Sequence, residues 1–251
     1  MEANYQLTMT TLQDLFDPEL YLHFHQDVLD DDRTQRECNF IMNYIGACDT
    51  SRILDLACGH GRHSKYLAEL GHLVVGIDIN ESFIKIAREK YCHSNVEYQM
   101  GDILDINYTR EFDLVILLFN TFGFFTKSQA KRMLEAVDGA LKPGGLFILD
   151  TRNRDRLMLD IQPYSVMEKG KDLMIDRISI NPREGTTLNR RIYIKDGIRY
   201  DTPFTMYHYN YTDILELIED TSLEVKSCFG GWSGEEFGVD SKRIILFLAK
   251  H

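Results

Sequence analysis

Between residues 51 and 150 the chain switches repeatedly between two hydrophobic periods, and that alternation restricts its fold more than any other feature. The short apolar segments SRILDLA, HLVVGIDI, NVEYQMGDI, FDLVILLF and GLFILDT read as strands. RHSKYLAELG, SFIKIAREKY and QAKRMLEAVDGAL, set between them, read as helices. Runs such as VILLF are apolar at every position, so both faces of the strand are buried, as in a parallel sheet covered by helices. Parallel neighbours need crossovers, and the helical segments supply them. Gly71 stops the first helix, Asn80 or Ser82 opens the second, and KPGG at 142–145 ends the third.

The flanks follow other rules. Leu12, Leu15 and Phe16 recur at helical spacing before Asp17-Pro18, and a second helix fits 32–46, stopped by Gly46. The acidic run DDDRTQRE at 30–37 suits a solvated helix start. After residue 150, segments 172–181, 187–195 and 198–209 read as consecutive strands, with Gly185 at one connection and an Asp196-Gly197 hairpin at the other. A helix over 212–221, capped by Thr212, precedes two final strands, SLEVKSCFG and KRIILFLAK. The expected divisions are a helical cap at 1–50, a ligand-binding core at 51–155, an antiparallel insertion at 156–211, and a closing helix and strands at 212–251.

Composition narrows the function classes. At 251 residues, with 44% apolar and 27% charged residues, the chain can bury a large core without staples. Its net charge of −11 disfavours nucleic acid as a partner. The five cysteines, Cys38, Cys48, Cys58, Cys92 and Cys228, are scattered and form no CxxC pair, as in a reducing compartment. The first residues lack the pattern of a signal peptide, and the longest apolar runs, such as IILFLA at 244–249, are strand length. A cytoplasmic protein without membrane contact is expected, as a monomer or a homodimer.

The stretch ILDLACGHGRHS at 53–64 carries the most chemistry. A strand ends at Asp55, turns through Gly59 and Gly61, and enters a helix whose first N–H groups are free. Asp78 ends the next strand 19 residues after Gly59, where a carboxylate can accept from both hydroxyls of a ribose. Asp102 ends the third strand, where it can accept from an exocyclic amine while Ile103 covers the ring. One such Asp alone reads as a helix cap. Three at successive strand ends point to the crevice in which open α/β sheets bind ligands.

These motifs, LDLACGHGRH, VVGIDIN, GDILDI, FDLVILLFN and LKPGGLFILD, resemble those of class I S-adenosylmethionine-dependent methyltransferases, specifically the small-molecule branch that includes N-methyltransferases. The resemblance implies a Rossmann-like, doubly wound, mostly parallel seven-stranded sheet with helices on both faces, plus a small antiparallel β insertion before the final helix and strands. It also implies the cofactor S-adenosylmethionine and a small-molecule acceptor. Carried onto this chain, the cofactor contacts are Asp55, Ala57, Gly59 and Gly61 in the first turn, Asp78 and Ile79 at the second, and Asp102 and Ile103 at the third. Leu118 and Asn120, after the fourth strand, should line the methionine end. Arg62 is a candidate partner for the cofactor carboxylate, and Tyr21 a candidate cap over the pocket beside His23 and His25. A nicotinamide dehydrogenase would need a third glycine where Ser64 stands.

On the acceptor side the candidates are Tyr207, His208 and Tyr209 in FTMYHYNY at 204–211, with Trp232 reaching the same mouth. No metal is expected, since His60 and His63 lack a carboxylate-rich cluster. A neutral amine nitrogen needs no general base, so amine methylation is the leading reading. An alcohol or phenol acceptor, deprotonated by a His or Tyr, is the alternative. A non-catalytic cofactor-binding or regulatory protein is the alternative of another class.

Overall fold

The computed structural model describes residues 15–46 and 50–251. Leu12 of the first expected helix and Cys48 lie outside the described residues. Helix α1 (Pro18–His25) opens with proline at its first turn, and Asp17 Oδ1 accepts the Leu20 N–H at 3.0 Å. Helix α2 (Asp31–Ile45) is capped by Asp30 and ends at Gly46, whose φ of +82° suits glycine.

Strand and helix then alternate as β1 (Arg52–Leu56), α3 (Arg62–Glu69), β2 (Leu73–Asp78), α4 (Glu81–Lys90), β3 (Val96–Met100), β4 (Phe112–Leu117), α5 (Lys127–Ala140) and β5 (Leu141–Arg152). Asn80 is the cap of α4, accepting from the Ser82 and Phe83 N–H groups. The segment after β5 holds α6 (Arg154–Asp160), β6 (Tyr164–Lys169), β7 (Asp172–Asn181), β8 (Thr186–Lys195) and β9 (Ile198–Tyr207). The chain closes with α7 (Tyr211–Ile218), β10 (Leu223–Phe229) and β11 (Arg243–Lys250).

The main sheet has seven strands in the order β10-β11-β5-β4-β1-β2-β3. Only the contacts of β11 with β5 and β10 are antiparallel. Strand order reverses between β1 and β4, so their carboxyl ends flank a crevice. One face buries Ile53, Val74, Leu114, Ile116, Ile148 and Phe247 against α2 and α3. The other packs Leu54, Leu56, Val115, Leu117 and Leu149 against α5 and α7.

The second sheet, β6-β7-β8-β9, is wholly antiparallel. Asp196 and Gly197 both take positive φ, 51° and 78°, as the expected two-residue hairpin requires. Two expectations need correction. The insertion has four strands, not three, because YSVMEK forms a mostly exposed edge strand with no apolar alternation to mark it. Helix α7 is capped by Asn210, not Thr212. Asn210 Oδ1 accepts the Asp213 N–H, Asp213 returns to the Asn210 N–H, and the Thr212 hydroxyl only donates to the cap.

Candidate active site

The glycine turn and the end of β2 are joined by one hydrogen bond. The Gly59 N–H donates to Asp78 Oδ2 at 2.8 Å, and the Asn80 N–H donates to Asp78 Oδ1 at 2.8 Å. Asp78 is buried, and burial raises its pKa against the pull of those two donors. A carboxylate has about four acceptor positions, so two remain for a ligand. Gly59 has φ +56°, and open space lies where a Cβ would stand. The backbone can thus approach a ligand closely, which fits a nucleoside-bearing cofactor seated over the turn.

Asp55 lies beneath the turn. Its Oδ2 accepts the Ser64 hydroxyl at 2.6 Å, and burial pushes its pKa up to about 7. It braces the start of α3. Ala57 occupies a left-handed conformation, φ 54°, at the end of β1. Asp102 accepts the Leu104 N–H at 2.9 Å, Ile103 is buried, and Ile79 is exposed. Leu118 is buried, and Asn120 (φ 67°) ties β4 to β5 by accepting the Thr151 hydroxyl and the Arg152 N–H.

Arg62 is not a surface cation. It is buried, donating to Thr34 Oγ1 at 2.7 Å and to Glu37 Oε2 at 3.1 Å. His63 Nε2 also reaches Glu37 Oε2, at 2.8 Å, and Arg33 Nε reaches Oε1 at 2.7 Å. Both guanidiniums stand over the Phe119 ring, Arg33 at 5.0 Å and Arg62 at 5.4 Å. Two arginines against one carboxylate leave a positive surplus beside the β4 turn, where a cofactor carboxylate would fit. His60 packs against Tyr91 and Phe83, and burial lowers its pKa to about 4.

Tyr21 bridges the core and the second sheet. It stacks on His25 and meets Phe83 of α4 edge-on, while the charges of Arg191 and Arg62 reach it. Burial pushes its phenol up to about 12. His23 pairs instead with Asp172 at 2.9 Å.

The acceptor-side candidates have different surroundings. Tyr209 belongs to the core: its hydroxyl donates to the Phe125 carbonyl at 2.6 Å and its ring packs on Phe122. His208 is buried with Nε2 2.9 Å from Thr187 Oγ1, and burial, with Arg152 and Arg154 nearby, lowers its pKa to about 4. Tyr207 is half-buried against the core at the end of β9. Trp232 sits half-buried beneath α2, edge-on to Phe40.

Residues 53–145 match a methyltransferase domain family. A cypemycin N-terminal methyltransferase from Streptomyces is 28% identical over 212 residues, covering 80% of this chain and 84% of that protein. A glycine/sarcosine N-methyltransferase from Parasynechococcus marenigrum is 26% identical over 210 residues, covering 80% and 72%. The structure of the CcbJ methyltransferase from Streptomyces caelestis superposes with a TM-score of 0.77 at 18% identity, covering 87% of this chain and 95% of that one. The chain is an S-adenosylmethionine-dependent methyltransferase with the class I fold.

Within this methyltransferase, sequence reasoning missed Glu37, Arg33, Phe119, Asp150 and the arginines that face the second sheet. The i, i+4 spacing of Arg33 and Glu37 was a visible signal for half of the Glu37 network. Among the described residues, no helix is long and apolar enough to cross a membrane.

Proposed function

We propose that this methyltransferase alkylates the nitrogen of a small-molecule amine, without a metal, with the acceptor held between the crevice and the sheet β6–β9. The state of the groups that would otherwise take a proton carries this reading. Tyr209 already donates to a carbonyl, and Tyr21 is held protonated by burial. His208 shares its Nε2 with Thr187, and burial lowers the pKa of His208, to about 4, and that of His25, so both are weak bases. A neutral amine brings its own lone pair and needs none of them, whereas an alcohol needs a free base.

Bound S-adenosylmethionine supplies an electrophilic methyl group on a positively charged sulfur. The protein's part is placement. Asp78 is positioned for the ribose hydroxyls, Asp102 with Ile103 for the adenine, and the Arg33–Arg62 surplus for the carboxylate. Helix α1 and the second sheet cover the crevice and exclude water as a competing acceptor. Placing the amine close to the methyl and in line with the bond that breaks supplies most of the rate. The relatives named above for N-terminal and glycine/sarcosine N-methylation agree with a nitrogen acceptor.

The test is transfer of labelled methyl from S-adenosylmethionine to matched amines and alcohols, with and without EDTA. N-methyl products that form equally in EDTA support the reading. Methyl ethers, or turnover that Mg²⁺ restores after EDTA, overturn it.

A further inference from the structure

Three arginines meet where the main sheet faces the second one. Arg152 ends β5, and Arg243 begins β11 directly opposite it in the antiparallel register. Directly opposed residues lie on the same face, where like charges repel. Arg191 of β8 is the third, and its charge, with that of Arg243, disfavours the charged form of Arg152 after burial itself.

Two of the three are matched by acids. Arg191 forks onto Asp176, Nε to Oδ1 at 2.7 Å and Nη2 to Oδ2 at 2.9 Å. Arg243 Nε is bonded to Asp150, but its buried Nη2 has no hydrogen-bond partner among the described residues. Asp150 is further occupied by the Phe119 N–H. For the Arg152 guanidinium, no hydrogen bond or ion pair is found among the described residues, although Asp176 is near enough to favour its charge. Other nearby groups do not neutralise it. Arg154 is closed by Asp213 at 2.6 Å, and His208 is neutral at pH 7. Arg152 is exposed to water at the end of β5, so an anion in solution can reach it.

The position matters as much as the charge. Strand β5 lies two strands from β1, about 10 Å across the sheet, and the Arg152 N–H is held by Asn120 of the β4 turn. A small acceptor spans that distance from the methyl-transfer crevice.

We propose that the acceptor amine also carries an anionic group, a carboxylate or a phosphate, which Arg152 binds in the positive field of Arg191 and Arg243. Guanidinium forks match both groups in shape. This inference rests on the crevice being the methyl-transfer site.

Sodium acetate and inorganic phosphate, titrated calorimetrically at constant ionic strength into the full chain, test it. The titrations are run with and without S-adenosylhomocysteine, on the unmodified protein, Arg152→Gln and Arg152→Lys. The Arg152 backbone contact does not use the side chain, so both variants keep the strand. Saturable binding of one anion is expected, weakened at least tenfold in Arg152→Gln and partly restored in Arg152→Lys. S-adenosylhomocysteine affinity should stay within twofold throughout. Preference for acetate assigns carboxylated acceptors, and preference for phosphate assigns phosphorylated ones. No saturable anion binding, or equal binding in Arg152→Gln, overturns the proposal. Arg152-dependent anion binding without S-adenosylhomocysteine binding leaves the anion site standing and removes the cofactor reading instead.

Discussion

The Arg62 guanidinium and the Glu37 carboxylate form an ion pair at 3.1 Å, with side chains only 5% and 3% exposed. Burial alone would raise the Glu37 pKa. His63, Arg62 and Arg33 outweigh that and hold it well below the usual carboxylate range. The pair fixes α2 over the start of α3 and aims both arginines at Phe119.

Replacing Glu37 with Gln leaves Arg62 buried without a countercharge. That should cost about 3–5 kcal/mol of stability at pH 7. Because the folded pKa is depressed, the stabilisation from Glu37 is complete above its unfolded value near 4.5 and disappears as pH falls below it. Urea denaturation should therefore show the gap between the two proteins narrowing below pH 4.5. A gap that is constant down to pH 3 would refute the charge assignment.

Gly61 and Gly71 separate a local backbone effect from a site effect. Both have positive φ, +91° and +97°. A Cβ at Gly61 would stand 2.7 Å from Tyr98 Cζ, whereas one at Gly71 meets nothing within 4 Å. Gly71→Ala should cost about 1–2 kcal/mol from the left-handed backbone alone and leave cofactor affinity unchanged. Gly61→Ala must also displace Tyr98, whose hydroxyl donates to the Gly61 carbonyl at 3.1 Å, and so distorts the cofactor turn. Equal cofactor affinities in the two variants would count against the turn as the binding element.

His208 offers a test of burial at the interface of the two sheets. Burial, then Arg152 and Arg154, hold its folded pKa near 4, below the unfolded 6.5. Between those values the unfolded chain binds more protons, so stability falls as pH falls. His208→Gln removes that titration. The advantage of the unmodified protein over the variant should shrink by on the order of 1 kcal/mol per pH unit from pH 6.5 to 4. Parallel stability curves would mean that His208 is not buried neutral.

Much of the core was legible because its two hydrophobic periods contrast sharply. The segment VVGID ends at Asp78 in both sequence pattern and structure, and Asp196-Gly197 forms its hairpin because few other dipeptides accept two positive φ values. Strand β6 was invisible because an exposed edge needs no apolar alternation. An aromatic such as Tyr209 at a strand end reads the same whether it faces a pocket or the core, so its bond to the Phe125 carbonyl has no sequence signal. Glu37 sat inside an acidic run that resembles a solvated helix start. Its partners Arg62 and His63 lie 25 and 26 residues away, and no local pattern joins them. Arg152 was overlooked for the same reason, since its neighbours Arg191 and Arg243 come from two other strands.

The central claim is that the crevice beside Asp78 binds S-adenosylmethionine, and calorimetric titration of the cofactor into the unmodified protein and Asp78→Ala tests it most directly. The unmodified protein should bind one equivalent. The variant, shown to be folded by circular dichroism, should lose about 2–3 kcal/mol, a roughly 30- to 150-fold weaker Kd, because the ribose acceptor and the anchor of the Gly59 N–H go together. Unchanged affinity in folded Asp78→Ala, or no binding by the unmodified protein, would contradict the account.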